Sequence, residues 1–356
     1  MRIEEIEPMP VKCRQSAMIC AERCERKWWC KYRMGITLRG GEYKGAATLG
    51  KIYHRLQQLG PGGEDEVKKE VRQQQIDLMA QVDKGEDLDG QIVRTANNLT
   101  MLYDKAVVMA HIFWERFPQP EFFKTLATEV KVEMEYEGLT LSGTIDKLLL
   151  DVRDDAVWIR DHKSTSQSLD CIFSALPWGI QGRMYRILAT EWIRQQERGP
   201  NTEPCGLKVK GFILDGVLVP GIKLCKTDLK NSRDWGCTKE EAYLRRVKEW
   251  YAEKPDATMR SKGVIYTEKM FQAELITSLC RMKELQAFDP HHVERFERDI
   301  TRSECFMYQK QCIYHDLCST DPKQWGPLFE TKYKVEDPEQ GGNANAKAAV
   351  QDTDEG

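Results

Sequence analysis

The run VWIRDHK (157–163) constrains this chain more than any other stretch. It reads as a strand, yet charge stands where a core strand would carry Val, Ile, Leu or an aromatic. Strand alternation puts Val157, Ile159, Asp161 and Lys163 on one face and turns His162 the other way. Such a face begins in a core and ends in charge, as a strand does when it runs from an apolar interior into a site.

Two more strand signals precede it, at 127–136 and 139–151, and the third covers 156–163. YEGL (136–139) suggests a two-residue hairpin loop at Glu137-Gly138, which would set Glu129 opposite Asp146. A turn centred between Arg153 and Asp154 would set Asp146 opposite Asp161. Three carboxylates in a row, with Cβ atoms ~5 Å apart, repel one another, and a divalent cation removes that cost. Two acids and a lysine on adjacent strands suit metal-assisted phosphodiester hydrolysis. Hard oxygens hold Mg²⁺ or Mn²⁺, and Lys163 steadies water or developing charge. Taken by themselves, the same spacings also fit a surface hairpin whose charges face solvent.

Around these strands the pattern is helical. GGEYKGAATLGKIYHRLQQLG (40–60) has a Gly-rich entry followed by helical spacing, and 64 to about 117 is helical with a break at KGEDLDG. PWGIQGRMYRILATEWIRQQ reads as a helix with Pro177 in its first turn. LKVKGFILDGVLV returns to strand, 238–252 and 268–287 are helical, and the polar end 339–356 reads as disordered. The expected fold is therefore α/β, with helices bracketing a short central sheet.

Hydrophobic residues make up 41% and charged residues 31%, an ordinary water-soluble composition. No apolar run approaches the ~20 residues that span a bilayer, and the acidic start MRIEEIEPMP has no signal-like apolar core. The expectation is a cytoplasmic protein without a membrane partner. A net charge of −3 looks unsuited to DNA, but the last 22 residues hold six acids and one lysine. The rest is mildly basic, so a nucleic-acid contact has to come from a local patch. GAATLGKI (45–52) fails as a phosphate-binding loop, because Ile52 stands where a metal-holding hydroxyl belongs.

Four motifs occur in order: Gly50-x-x-x-His54, Gly143-x-x-Asp146, Asp161-x-Lys163 and Gln181-x-x-x-Tyr185. The last pair lies one helical turn apart, on one face. Together they resemble the RecB-type branch of the PD-(D/E)XK nuclease superfamily across residues 50–185. That resemblance implies a restriction-endonuclease-like fold, a central mixed sheet flanked by helices. It implies His54, Asp146 and Asp161 as metal ligands and Lys163 as the catalytic lysine, with Gln181 and Tyr185 positioning site and substrate. Glu129 rests on the register argument alone.

Twelve cysteines are many for a reducing compartment, where clustered thiols read as metal ligands rather than disulfides. Cys305-x6-Cys312-x5-Cys318 lies near the C-terminus, and CERKWWCKY places Cys24 near the N-terminus. The CRISPR adaptation nucleases and AddB-type nuclease subunits show a similar organisation. There, one cysteine ahead of the core and three behind it hold a [4Fe–4S] cluster. The resemblance implies Cys24, Cys305, Cys312 and Cys318 as its ligands, stapling segments 12–34 and 300–320 around one nuclease domain over 1–338. The x6 gap departs from the family's usual x2. Cys20 or Cys30 could take the place of Cys24, and Cys13, Cys20, Cys24 and Cys30 are dense enough for a local zinc site. Cys171, Cys205, Cys225, Cys237 and Cys280 have no ligand-like spacing and read as buried thiols.

Arg26, Lys27, Trp28 and Trp29 mix cations with aromatics, as single-strand binding surfaces do. Packing beside the cluster is the rival role for the tryptophans. The helical insertion 64–125 exceeds what a minimal core needs, and would roof the site or bind a partner. The reading as a whole is a Mg²⁺- or Mn²⁺-dependent DNA exonuclease on single strands or ends. Recombination, replication and CRISPR spacer processing are the settings the family implies, each with its own protein partners. The alternative is a non-catalytic DNA-end-binding subunit. The intact Asp–Asp–Lys set argues against it.

Overall fold

The computed structural model describes residues 3–39, 45–83, 90–177, 179–197, 206–265, 268–299, 303–306 and 311–336. The expected disordered end 339–356 and Cys205 lie outside them. In chain order the elements begin β1 (Lys12–Cys13), α1 (Gln15–Arg23), α2 (Glu25–Trp28), β2 (Ile36–Leu38), α3 (Gly45–Leu59), α4 (Glu64–Asp83) and α5 (Gln91–Arg116). Then come β3 (Phe123–Tyr136), β4 (Leu139–Asp151), β5 (Ala156–Thr165), α6 (Leu169–Ala175), α7 (Ile180–Glu197) and β6 (Lys208–Leu218). The remainder is α8 (Lys226–Trp235), α9 (Lys239–Glu253), α10 (Pro255–Thr258), β7 (Met259–Val264), α11 (Glu268–Ala287), α12 (His315–Ser319), α13 (Gly326–Thr331) and β8 (Tyr333–Val335).

The chain forms two compact units: Tyr43–Val132 with Gly143–Gln272, and Met1–Glu42 with Glu133–Ser142 and Ala273–Gly356. In the first, β3 to β7 form a mixed sheet in sequence order. β4 and β5 are antiparallel, β5 and β6 parallel, and β6 and β7 antiparallel. A parallel neighbour needs a crossover, which α6 and α7 supply. Helix α3 writes its core face at helical spacing, with Leu49, Ile52, Tyr53 and Leu56 all buried. They join Leu99, Met109 and Phe113 of α5 and Val247 and Tyr251 of α9 in one core.

The second unit ties an N-terminal segment to a C-terminal one. β2 pairs antiparallel with β8, Ile36 opposite Val335 and Leu38 opposite Tyr333. Tyr314 Oη donates to Ile36 O at 2.9 Å, and Trp29 Nε1 to Pro290 O at 2.8 Å. β1 lies parallel to the start of β4, with Cys13 opposite Leu141.

Several expectations need correction. The helix carrying Gln181 starts at Ile180, not at Pro177. α6 ends at Ala175, and a turn at Leu176 and Pro177 separates it from α7. Strand β7 and helix α8 were not expected. MRSKGV has hardly any apolar alternation, because β7 is a sheet-edge strand with only Met259 buried. Among the supposed buried thiols, Cys171, Cys225 and Cys280 are exposed and Cys237 is half-buried.

Candidate active site

Register brings the acids together. Lys147 lies opposite Arg160 and Leu148 opposite Ile159 across β4 and β5. Continued by one residue beyond that ladder, the same register would set Asp146 opposite Asp161, the pair expected from the turn geometry. At the other hairpin, Glu137 and Gly138 both adopt positive φ (53° and 75°), the pairing of a type I′ turn. Glu129 is itself left-handed, at φ 49°. A left-handed residue inside a strand re-aims the chain locally, and no glycine in the sequence signals it.

The motif glycines are spacing devices. A Cβ on Gly143 would come within 2.8 Å of Leu188 Cδ1 and 3.3 Å of Tyr185 Cε1, so its absence lets α7 close on β4. A Cβ on Gly50 would stand 3.1 Å from Ser164 Oγ, so α3 likewise approaches β5 closely. Both helices thereby deliver polar side chains to the strand ends.

Gln181 bridges the central pair. Its Nε2 donates to Asp161 Oδ1 at 2.7 Å, and Lys163 Nζ donates to its Oε1 at 3.1 Å. Asp146 accepts from the backbone N–H of His162 at 2.9 Å, and its Oδ2 stands 3.2 Å from His54 Nδ1. A carboxylate on one imidazole nitrogen fixes the tautomer and raises the basicity of the other.

The charges are strongly interdependent. Burial, then the neighbouring Asp146, pushes the Asp161 carboxyl up to about 7, against the pull of Lys163. Burial also acts to raise Asp146, but the His54 and His162 contacts outweigh it and hold Asp146 below the usual range. For His54, burial is outweighed by Asp146, and the imidazole is raised. Glu129 is raised by burial and by Asp146, against the pull of His54. Tyr185 is buried, and burial followed by the two aspartates lifts its phenol.

Among the described residues, no three His, Cys, Asp or Glu side chains converge in the geometry of a single ion site. The donor chemistry nevertheless fits a hard divalent cation. A carboxyl raised by a like-charged neighbour is one whose repulsion a cation relieves.

Cys24, Cys305, Cys312 and Cys318 line one small cavity with Lys27, Glu304 and Tyr314. The long Cys305–Cys312 gap is closed by the Cys312 N–H donating to Cys305 O at 2.7 Å. Cys318 is pushed up to about 11, mainly by burial, and Cys312 is also raised mainly by burial. The four thiols share the lining of this cavity, without converging in the geometry of one metal site. Cys30 is wholly buried and senses Cys318 and Cys312, while Cys20 senses Cys24 and Lys27. Cys13 stands on β1, raised by burial and Glu135 to about 11.

Base stacking by the tryptophans is not what the fold allows. Trp28 and Trp29 are 1% and 0% exposed, packed on Phe296 at ring separations of 6.2 and 5.8 Å. Arg26 is buried too, its Nε donating to Phe296 O at 3.1 Å, and Lys27 pairs with Glu304 at 2.9 Å. Their cation–aromatic mixture reads as a surface in one dimension only. Sequence reasoning also missed Asp215, a fully buried carboxylate on β6 opposite His162. The only sequence signal was an Asp inside the apolar run FILDGVLV.

Among the described residues no helix is long and apolar enough to cross a membrane. A search of curated proteins returns no match. Among solved structures, one similar chain is the protein VC1899 from Vibrio cholerae, at 10% identity and a TM-score of 0.17. That match covers 64% of this chain and 60% of the Vibrio chain. The family model of the PD-(D/E)XK nuclease superfamily matches residues 15–319. That span holds every motif from Gly50 to Tyr185 and all four cavity cysteines, and the chain belongs to the PD-(D/E)XK nuclease superfamily.

Proposed function

We propose that the chain is a Mg²⁺- or Mn²⁺-dependent DNA exonuclease of the RecB type, acting on single strands or DNA ends. The observation that carries this is the Asp161–Gln181–Lys163 bridge with Asp146 beside it. Asp146, Asp161 and His54 are the residues to hold the cation, with Glu129 within reach. The bound ion supplies Lewis-acid polarisation of the phosphate and acidifies its water. Lys163 would meet the charge that develops on the phosphate, and Gln181 keeps its ammonium beside Asp161. Tyr185 walls the site.

The cavity thiols support a second cofactor. We infer that Cys24, Cys305, Cys312 and Cys318 hold a [4Fe–4S] cluster, which closes the N- and C-terminal segments on each other. Iron and acid-labile sulfide in anaerobically purified protein test this directly. Zinc without sulfide would replace it with a zinc site.

The test of activity uses end-labelled linear single- and double-stranded DNA, with closed circles and Lys163→Ala as controls. Loss of linear but not circular substrate, abolished in the variant, supports the exonuclease. Cutting of circles moves the reading to an endonuclease. Binding without cleavage under both metals sinks it in favour of an end-binding module.

A further inference from the structure

Strand β5 is charged on both faces. Asp161 and Lys163 occupy the face described above, while Arg160 and His162 occupy the opposite one, and both are buried. There Asp215 of β6 stands directly opposite His162. One oxygen of its carboxylate, Oδ2, lies 2.5 Å from Arg160 Nε and 3.1 Å from His162 Nδ1. The arginine contact is a hydrogen bond, whereas the histidine contact has ion-pair distance without hydrogen-bond alignment. The row continues on both sides. Lys147 of β4 lies opposite Arg160, and Ser261 of β7 lies opposite Asp215. Phe113 of α5 meets the His162 ring edge-on at 6.2 Å.

Buried ion pairs are poor sources of stability, because desolvation consumes most of the Coulomb gain, but they penalise any other register heavily. Register matters here for one specific reason. A slip of one residue would exchange the faces of β5. The backbone N–H of His162 would then leave Asp146, and Asp161 would leave the side of α7. The His162 peptide is thus the link between the two faces. Its ring is held from behind by Asp215 and Phe113, and its N–H holds Asp146 in front.

We propose that Asp215, with Arg160, is a positioning residue: by clamping His162 from the back of the sheet, it sets the orientation of the Asp146 carboxylate toward its divalent cation. This rests on the reading of Asp146 as a metal ligand. It gives the Asp inside FILDGVLV a role that touches neither metal nor DNA.

The experiment measures Mn²⁺ affinity by calorimetry on the full-length, anaerobically purified protein, alongside Tm and the kcat and KM for linear DNA. Asp228→Asn is the control, since Asp228 is also a fully buried carboxylate, paired with Arg246 at 2.6 Å, but lies on α8. Asp215→Asn is expected to weaken Mn²⁺ binding about 10- to 100-fold, lowering kcat at limiting Mn²⁺ with KM for DNA unchanged. Asp228→Asn is expected to lose Tm while binding Mn²⁺ like the wild type. Wild-type Mn²⁺ affinity in Asp215→Asn would reduce the cluster to a structural role and overturn the proposal. Should Asp215→Asn fail to fold, His162→Phe carries the test: it keeps the backbone N–H and the ring volume but loses the Asp215 contact. Weakened Mn²⁺ binding again supports the clamp, and unchanged binding overturns it. Wild-type Mn²⁺ binding that ignores Asp146→Asn would overturn the ligand reading itself, and the clamp with it.

Discussion

Gly143 shows how much can depend on a missing methyl group. The site needs Tyr185 and Leu188 of α7 against β4, and a Cβ at 143 would collide with Leu188 at 2.8 Å. Gly143→Ala is therefore expected to cost about 1–3 kcal/mol of stability through overpacking, read from urea unfolding. An unchanged midpoint would show that α7 yields freely. Gln181 acts differently, through two hydrogen bonds rather than volume. Gln181→Leu leaves packing intact but frees Lys163 and Asp161 from each other. The expected result is a roughly 10- to 100-fold lower kcat with unchanged KM for DNA. A rise in KM with constant kcat would make Gln181 a substrate contact instead. The motif residues were legible in sequence because chemistry restricts residue type at each. Asp215 was not, because an Asp in a strand says nothing of its partners until β6 is laid beside β5.

At the scale of elements, the β3–β4 hairpin fixes where the acids fall. Its loop residue Glu137 is left-handed at φ 53°, a conformation that strains an ordinary side chain and that Asn tolerates. Glu137→Asn is expected to raise the unfolding free energy by up to about 1 kcal/mol, with activity unchanged. A loss of stability would mean that the turn is not type I′ in solution. The hairpin and the β4–β5 turn were readable because alternation and turn chemistry are local signals. Strand β7 was not, because an edge strand with one buried residue carries almost no pattern. Nor was the helix start at Ile180, displaced from Pro177 by the turn that ends α6.

Across the molecule, closure of distant segments is shared between protein bonds and the proposed cluster. β2–β8 pairing, the Tyr314–Ile36 and Trp29–Pro290 hydrogen bonds and the Trp28–Trp29–Phe296 packing all join residues before 39 to residues after 289. Removing iron, or Cys312→Ser, should therefore lower Tm by several degrees while far-UV circular dichroism keeps its helical signal. Global unfolding on iron loss would show that the protein bonds cannot hold the closure alone. Buried Trp28 and Trp29 belong to this closure. Their apparent fitness for base stacking came from composition, which records that rings and cations are adjacent but not which way they face.

The sequence by itself determined the α/β class, the three antiparallel strands, the broken helical pattern after residue 64 and the order of the four motifs. These rest on periodicity, turn residues and residue chemistry, all carried within a few positions of the chain. Only the tertiary structure decided which thiols share a cavity, which aromatics are buried and what stands behind β5. Those facts depend on residues between 55 and 294 positions apart being brought to one place, as Arg160–Asp215 and Cys24–Cys318 are. Side-chain facing and cross-strand partnership are properties of the packed sheet, and no local pattern encodes them.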